Sequence, residues 1–321
     1  MYLTNEGHVV RALTIAGSDS GGGAGIQADL KTFAAFGVYG MSVLTGLTAQ
    51  NTVGVQGVRY VDPEFVVLQL SSVFDDLGVD ALKTGMLGSS AIIQSVATFL
   101  RKSGAKNLVV DPVMIAKGGE SLMDEDAKSS VVSDLIPLSA VLTPNIPEAA
   151  ELCGFPIQSW EDSHKAARQL VEMGASSVVI KGGHAQEEWL QDAPWRKALT
   201  EASSTKEDGL GLQSHGMATD IIFDGKDFTY LVTPRVPSKK THGTGCTFSS
   251  AITASLAKGA PLLNAMAAAK GFIYSAIASA QNWDVGAGHG PTDHSVQPPS
   301  QADIQAGGSY LWSDSKWEPI E

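Results

Sequence analysis

The sequence has few cysteines, a deficit of basic residues and no long apolar run. Its 321 residues include only Cys153 and Cys246, too few for a disulfide framework and without His or Cys partners at zinc spacing. With 22 basic against 34 acidic side chains, the net charge of −12 argues against a nucleic-acid binder. No apolar stretch reaches the roughly 18 residues of a membrane-spanning helix. The first ten residues show no basic region followed by an apolar one, so we expect a globular protein of the cytoplasm with no membrane partner.

Short apolar segments, partly β-branched, alternate with amphipathic segments along most of the chain. Residues 9–16 read as a buried strand that stops at Gly17, and residues 24–36 follow with apolar side chains at three- and four-residue spacing, as in a helix. This alternation continues to residue 180. It predicts an α/β fold with a mostly parallel sheet covered by helices.

Two segments depart from this alternation. Residues 185–216 are polar and acidic, and we interpret them as a surface insertion. The chain beyond residue 286 is rich in Pro, Gly, Ser and Asp, so residues 297–321 are predicted to form a polar, poorly ordered extension. The prediction is therefore one domain over residues 1–296.

A first glycine cluster, residues 17–25, lies between the first strand and the first helix. Backbone N–H groups at such a helix start suit a small or anionic ligand. Residues 23–28 also match a permissive dinucleotide fingerprint. That fingerprint needs an acidic residue for the ribose roughly 20 positions on, and the residues around Asn51 supply none until Asp62. A tight turn without a ligand is the third interpretation. No GxxxxGK[ST] segment occurs, which argues against an ordinary P-loop enzyme.

A second cluster, His242-Gly243-Thr244-Gly245-Cys246, stands directly before an apolar helical segment. Consecutive N–H groups there are suited to bind a phosphoryl group in transfer. The same position lowers a thiol pKa, so Cys246 is expected to have more thiolate character than a free cysteine and to act as a base or position a hydroxyl. The alternative is a cysteine that merely packs in the core.

Polar side chains follow three predicted strands. Asp111, Asn145 and Glu148 offer the oxygen ligands that Mg²⁺ prefers, at the strand ends where ligands of open α/β sheets bind. Each alone is also a candidate helix cap or solvated charge. Lys181 begins a Lys-Gly-Gly-His segment after the next strand. Its positive charge is suited to neutralise phosphate oxygens. The alternative is a lysine whose side chain extends along the surface at the strand end to reach water.

Seven motifs, in order, resemble those of the hydroxymethylpyrimidine/phosphomethylpyrimidine kinases, thiamine-pathway enzymes of the ribokinase-like superfamily. The resemblance covers residues 11–291 and rests on these segments: 15–32, Thr48-Ala49-Gln50-Asn51-Thr52, Lys83-Thr84-Gly85-Met86-Leu87, Asp111-Pro112-Val113-Met114, Thr143-Pro144-Asn145, Lys181-Gly182-Gly183-His184 and His242-Gly243-Thr244-Gly245-Cys246-Thr247. Ser20 stands where many members have proline.

The resemblance implies a ribokinase-like three-layer α/β/α sandwich. It also implies ATP-dependent phosphorylation of 4-amino-5-hydroxymethyl-2-methylpyrimidine to its monophosphate and then to the diphosphate. By the same resemblance, the pyrimidine contacts are Gly17, Asp29, Gln50, Met86 and Val113. Lys181 and Thr244 are implied to bind ATP, and Asp111, Asn145 and Glu148 to bind Mg²⁺. The implied catalytic residues are Cys246, Gly243, Thr244 and Gly245. Cys246 takes the place of the aspartate base of the sugar kinases.

Three alternatives stay open at this point. A pyridoxal or pyridoxine kinase of the same superfamily is the nearest, since its substrate is also a hydroxymethyl heteroaromatic. A nicotinamide-dependent oxidoreductase would use residues 23–28, and a nucleotide-binding regulator would bind ATP without turnover. The resemblance further implies a homodimer.

Overall fold

The computed structural model describes residue 3, residues 7–114, 123–184, 189 and 216–320, with the backbone alone at residue 184. The strands are β1 Arg11–Asp19, β2 Tyr39–Asn51, β3 Gly54–Tyr60, β4 Ala81–Thr84, β5 Leu108–Val110, β6 Val141–Leu142, β7 Val178–Ile180, β8 Met217–Phe223, β9 Phe228–Pro234, β10 Ser309–Ser313 and β11 Lys316–Pro319. The helices are α1 Gly25–Phe36, α2 Pro63–Asp76, α3 Ser90–Ser103, α4 Glu125–Ser130, α5 Ile146–Cys153, α6 Trp160–Glu172, α7 Thr244–Ala257 and α8 Leu262–Ser279. A π-helical turn and a 3₁₀ turn extend α4 to Leu138.

The strands form one sheet in the order β11-β10-β9-β8-β7-β6-β5-β4-β1-β2-β3. The central strands, from β2 through β1, β4, β5 and β6 to β7, are all parallel. Their carboxyl ends therefore lie along one edge of the sheet. The predicted mostly parallel sheet is confirmed.

Helices cover both faces of this sheet. Leu13 and Ile15 of β1 pack on one side with helices α2 to α6, whereas Ala12 packs on the other side with α1, α7 and α8. Successive side chains of a strand point to opposite faces, so β1 contributes to both core layers. The three-layer α/β/α sandwich predicted from the sequence is confirmed. Within the described ranges, no helix combines the length and apolarity needed to cross a membrane.

The C-terminal segment differs from the prediction of a poorly ordered extension. Strand β10 pairs in parallel with β9, and β11 pairs antiparallel with β10. Tyr310, Leu311 and Trp312 are buried. The Pro-, Gly- and Ser-rich residues before them concealed this short apolar strand. The predicted insertion at residues 185–216 lies outside the described residues, apart from Trp189 and Gly216.

Candidate active site

A cleft of about 880 Å³ lies at the carboxyl ends of the parallel strands, between the first glycine loop and the start of α7. It brings together segments that are far apart in sequence. The predicted site residues in its wall are Gly17, Gln50, Met86, Asp111, Val113, Asn145, Glu148, Lys181, Gly243, Thr244, Gly245 and Cys246. Asp29 is the exception among the predicted site residues.

Asp29 lies beneath the cleft. Its carboxylate is fully buried, accepts hydrogen bonds from Thr14 and Ser250 at 2.6 and 2.7 Å, and pairs with Lys83 at 3.1 Å. The structure does not bring Asp29 into the wall of the cleft, and its contact with the pyrimidine stays a prediction. The carboxylate is fully engaged in joining α1 to β1, β4 and α7.

Asp19 fills the first glycine loop from within. Its carboxylate accepts the backbone N–H groups of Gly21, Gly23 and Ala24 at 2.8 to 3.1 Å. The N–H groups that the sequence suggested for an outside anion are thus occupied by the chain's own carboxylate. Burial opposes ionisation, but the hydrogen bonds from His242 and these amides hold the pKa of Asp19 below its ordinary value.

The two glycine loops touch each other backbone to backbone. Gly243 has φ +79°, and a Cβ there would lie 1.8 Å from the carbonyl oxygen of Gly23, so both the conformation and the space require glycine. His242 Nε2 lies 2.8 Å from Asp19 Oδ2. Since the carboxylate only accepts, this ring nitrogen carries the proton and donates. The Asp19–His242 hydrogen bond joins the two loops, a link that motif matching did not assign.

Helix α7 begins at Thr244, three residues earlier than predicted, so Gly245 and Cys246 belong to its first turn. Its N-cap, Gly243, makes no side-chain cap. N–H groups of a first helical turn have no acceptor within the helix. Those of this turn therefore stand at the wall of the cleft, where the helix dipole favours an anion.

The Cys246 thiol is protonated in this setting. Burial raises its pKa to about 12; Lys83 acts in the opposite direction, while the negative charges of Asp29 and Asp111 add to the rise. The sulfur also accepts the N–H of Gly25. The expected thiolate character is therefore wrong for this state, because lost hydration and two carboxylates outweigh the helix start.

Lys181 lies between two buried carboxylates at the end of β5 and the start of α5. Its Nζ is 3.1 Å from Asp111 Oδ1 and 3.9 Å from Glu148 Oε2. Burial works against ionisation of Asp111, but Lys181 and Lys83 keep its pKa below the ordinary value. Burial, helped by the charge of Asp111, raises the pKa of Glu148 to about 7. Glu148 therefore holds a proton for part of the time at neutral pH.

Asn145 and Glu148 also form the capping box of α5. Asn145 Oδ1 accepts the Glu148 N–H at 2.9 Å, and Glu148 Oε2 accepts the Asn145 N–H at 2.8 Å. The helix-cap role considered for Asn145 and Glu148 is therefore observed, and these are the same residues that were predicted as metal ligands. Among the described residues, no group of three or more His, Cys, Asp or Glu side chains is arranged to hold a metal by itself. A cation here would take its remaining ligands from water or from a bound molecule.

Gln50 presents an amide to the opposite side of the cleft. Its Oε1 accepts the Thr48 hydroxyl at 3.1 Å, and its Nε2 lies 3.5 Å from His242 Nε2. Because that ring nitrogen is itself a donor, the Gln50 amide N–H groups stay available to a ligand. The Ser20 hydroxyl bonds both the N–H and the C=O of Gln50, at 2.8 Å each, which fixes the strand end.

A further ion pair in the cleft wall was not found from the sequence. Lys270 of α8 lies 2.8 Å from Asp220 of β8, and Asp220 Oδ1 accepts the Gly182 N–H at 2.9 Å. Both side chains line the cleft. No local motif marks this ion pair, because its two residues are about fifty positions apart in the sequence. In the sheet order, β8 lies beyond β7 from β2, so the pair is on the side of Lys181 away from Gln50.

Known proteins resemble this chain over most of its length. A family model for phosphomethylpyrimidine kinase matches residues 19–293. A hydroxymethylpyrimidine/phosphomethylpyrimidine kinase of Bacillus subtilis is 45% identical over 286 residues, which cover 89% of this chain and 95% of that protein. A thiamine biosynthesis bifunctional protein of Geobacter sulfurreducens is 49% identical over 282 residues, which cover 88% of this chain but only 51% of that longer protein.

Among solved structures, an ADP complex of Bacillus subtilis pyridoxal kinase superposes with a TM-score of 0.74. The two chains are 37% identical, and the match covers 90% of this chain and 98% of the other. The family resemblance inferred from the motifs is confirmed by these matches. This chain belongs to the phosphomethylpyrimidine kinase family.

Proposed function

We propose that the protein transfers the γ-phosphoryl group of ATP to 4-amino-5-hydroxymethyl-2-methylpyrimidine and then phosphorylates the monophosphate to the diphosphate. The observation that carries this proposal is that the first turn of α7 and the Gln50 amide line one and the same cleft. The first feature suits a phosphoryl group and the second a polar heterocycle. Family membership supports the same reaction.

The amide of Gln50 would pair with the aminopyrimidine edge, since it can donate and accept at once. Val113 and Met86 supply apolar contacts to the ring. The hydroxymethyl group would then point at the first turn of α7, where the amides of Gly245 and Cys246 neutralise charge on the phosphoryl group in transfer.

The protonated Cys246 thiol fits a positioning role better than that of a strong base. Phosphoryl transfer passes through a loose transition state, so alignment and charge neutralisation supply most of the acceleration. Cys246 would hold the substrate hydroxyl in line with the phosphoryl group. Lys181, at the same end of the cleft, would add its charge to the phosphate oxygens.

The donor chemistry at Asp111 and Glu148 fits Mg²⁺ carried by ATP. Both carboxylates are buried beside Lys181, and oxygen donors held partly through water suit this ion. Bound there, Mg²⁺ would neutralise phosphate charge. Asn145 would act mainly by fixing Glu148 through the capping box. A cytoplasmic location, where ATP is available, goes with this proposal.

Mass spectrometry of the products tests the reaction. The protein is incubated with ATP, Mg²⁺ and either the pyrimidine alcohol or pyridoxal, and products with one and two added phosphates are measured. We expect both from the pyrimidine. Pyridoxal kinase activity is the second candidate, because a pyridoxal kinase structure is similar to this chain. Phosphorylation of pyridoxal alone would replace the proposal. Binding of ATP with no phosphorylated product from either alcohol would indicate a nucleotide-binding regulator.

We further propose a homodimer formed through the β2–β3 edge. Most exposed large apolar side chains of the described residues belong to β2, β3, the turn between them, and α2 with its C-cap residue: Tyr39, Leu47, Val53, Tyr60, Phe65, Leu68 and Leu77. Such a patch favours burial against a second copy. Light scattering should give twice the 33.5 kDa chain mass. Leu68→Glu should give the monomer. Ala306→Glu is the control, because Ala306 is exposed in the turn before β10, at the other end of the sheet from β3. A monomeric wild type refutes the dimer.

A further inference from the structure

The last two strands lie outside the part of the chain that matches the family. The family match ends at residue 293, whereas β10 and β11 span Ser309–Ser313 and Lys316–Pro319. We call these two strands the C-terminal hairpin. The hairpin extends the sheet beyond β9, and its buried residues make it an integral part of the fold.

Two tryptophans join this hairpin to α8. The Trp312 ring lies so close to Gly271 that a Cβ there would be 2.7 Å from it, so the contact requires glycine. Trp317 Nε1 donates to the carbonyl oxygen of Ala267 at 3.1 Å. The two rings pack edge to face, with centroids 5.1 Å apart. Residues 267 and 271 are one helical turn apart, so the hairpin holds one stripe of α8.

The neighbouring stripe of the same helix lines the cleft. It consists of Lys270, Ile273, Tyr274 and Ile277. Lys270 pairs with Asp220 at 2.8 Å, and Asp220 accepts the N–H of Gly182, the residue after Lys181. Contiguous contacts thus run from the hairpin through α8 to the backbone beside the lysine at the phosphate end. Gln50 and the pyrimidine side lie at the other end of the cleft.

We propose that the C-terminal hairpin is a positioning element that sets the affinity of this half of the cleft for the nucleotide. This inference rests on the proposed function for the identity of the nucleotide. Trp312 and Trp317 act through α8, which carries Lys270 and the apolar side chains of the wall. Neither tryptophan is among the residues that line the cleft, so a loosened hairpin would act through α8, weakening nucleotide binding and leaving the pyrimidine half unchanged.

Two variants test the proposal against a matched control. Trp312→Ala removes the ring over Gly271, whereas Trp317→Phe removes the hydrogen bond to α8 and keeps a smaller aromatic ring at this position. Trp283→Ala is the control, since Trp283 is an exposed tryptophan outside the hairpin. Calorimetry measures the Kd of ADP, and steady-state assays measure KM for ATP and for the pyrimidine separately.

For Trp312→Ala we expect the ADP Kd and the ATP KM to rise by about three- to tenfold, in the range of couplings carried through packed elements. Trp317→Phe should raise them by about two- to threefold, because it loses one hydrogen bond. The pyrimidine KM should stay within about twofold in both variants, and Trp283→Ala should match the wild type.

The proposal is overturned if folded Trp312→Ala binds ADP like the wild type, or if both substrates weaken equally, as general loosening would produce. Should Trp312→Ala fail to fold, Trp317→Phe decides by the same two criteria. The calorimetric result does not depend on the acceptor. A wild type that binds ADP but does not phosphorylate the pyrimidine therefore refutes the proposed function and leaves the hairpin test standing.

Discussion

Replacing Asp19 with asparagine should destabilise the fold by loosening the contact between the two glycine loops. The carboxylate accepts N–H groups from Gly21, Gly23 and Ala24 and the ring N–H of His242. In the wild type, Oδ2 accepts the hydrogen bonds from Gly23, Ala24 and His242, and Oδ1 accepts the one from Gly21. Asparagine has one acceptor oxygen. If this oxygen takes the place of Oδ2, the amide NH₂, which is a donor, faces the Gly21 N–H and cannot accept it. One charge-assisted hydrogen bond is lost and the others become neutral, a cost of about 3 kcal/mol.

Urea unfolding measures this cost. Asp75→Asn is the matched control, because Asp75 is an exposed aspartate of α2, and it should change the free energy of unfolding by less than about 0.5 kcal/mol. An Asp19→Asn protein as stable as the wild type would refute the assignment of Asp19 as the link between the loops.

The same effect has a pH dependence of known sign. The pKa of Asp19 in the folded protein lies below its ordinary value of 3.8, so the carboxylate's contribution is full above that pH. It is lost as the pH falls through the lower folded-state pKa. The difference in stability between wild type and Asp19→Asn should therefore be constant at neutral pH and shrink below about pH 4. A difference that widens in acid contradicts this account.

Three further predictions concern the cleft. Gln50→Leu should weaken pyrimidine binding by about 1 to 3 kcal/mol, since the ligand's polar edge loses its partner; an unchanged Kd by calorimetry would remove Gln50 from the site. Cys246→Ala should lower kcat severely and leave the ADP Kd nearly intact, and wild-type turnover would exclude the thiol from the reaction. In a Cys153→Ala background, alkylation of Cys246 by iodoacetamide should be slow at pH 7 and rise without a plateau to pH 10, because its pKa is about 12; fast alkylation at pH 7 would show a thiolate.

The sheet and the location of the site were predictable because local patterns determine them. The helix predicted over residues 24–36 formed as α1, Gly25–Phe36, because its apolar spacing and its glycine boundaries are local features. Asp111, Asn145 and Lys181 each follow a parallel strand, and the carboxyl ends of such strands necessarily meet at one edge. The seven motifs then supplied roles that spacing alone leaves open.

The features that the sequence did not reveal depend on contacts between distant residues. Whether Asp29 faces the cleft or the core depends on Lys83, 54 positions later. The pKa of Cys246 depends on burial and on carboxylates from α1 and β5, so the local helix start was a poor guide. The C-terminal hairpin depends on a partner strand, β9, and on Gly271, whose small size appears meaningful only once Trp312 lies over it.

The central claim is that the first turn of α7 binds the phosphoryl group while the Gln50 side holds the alcohol. A crystal structure of the protein with a non-hydrolysable ATP analogue, Mg²⁺ and the pyrimidine tests it most directly. The account predicts the γ-phosphoryl oxygens within hydrogen-bond distance of the Gly245 and Cys246 amides, with the hydroxymethyl oxygen between them and Gln50. A γ-phosphoryl group bound away from α7, or a pyrimidine outside the cleft, would contradict it.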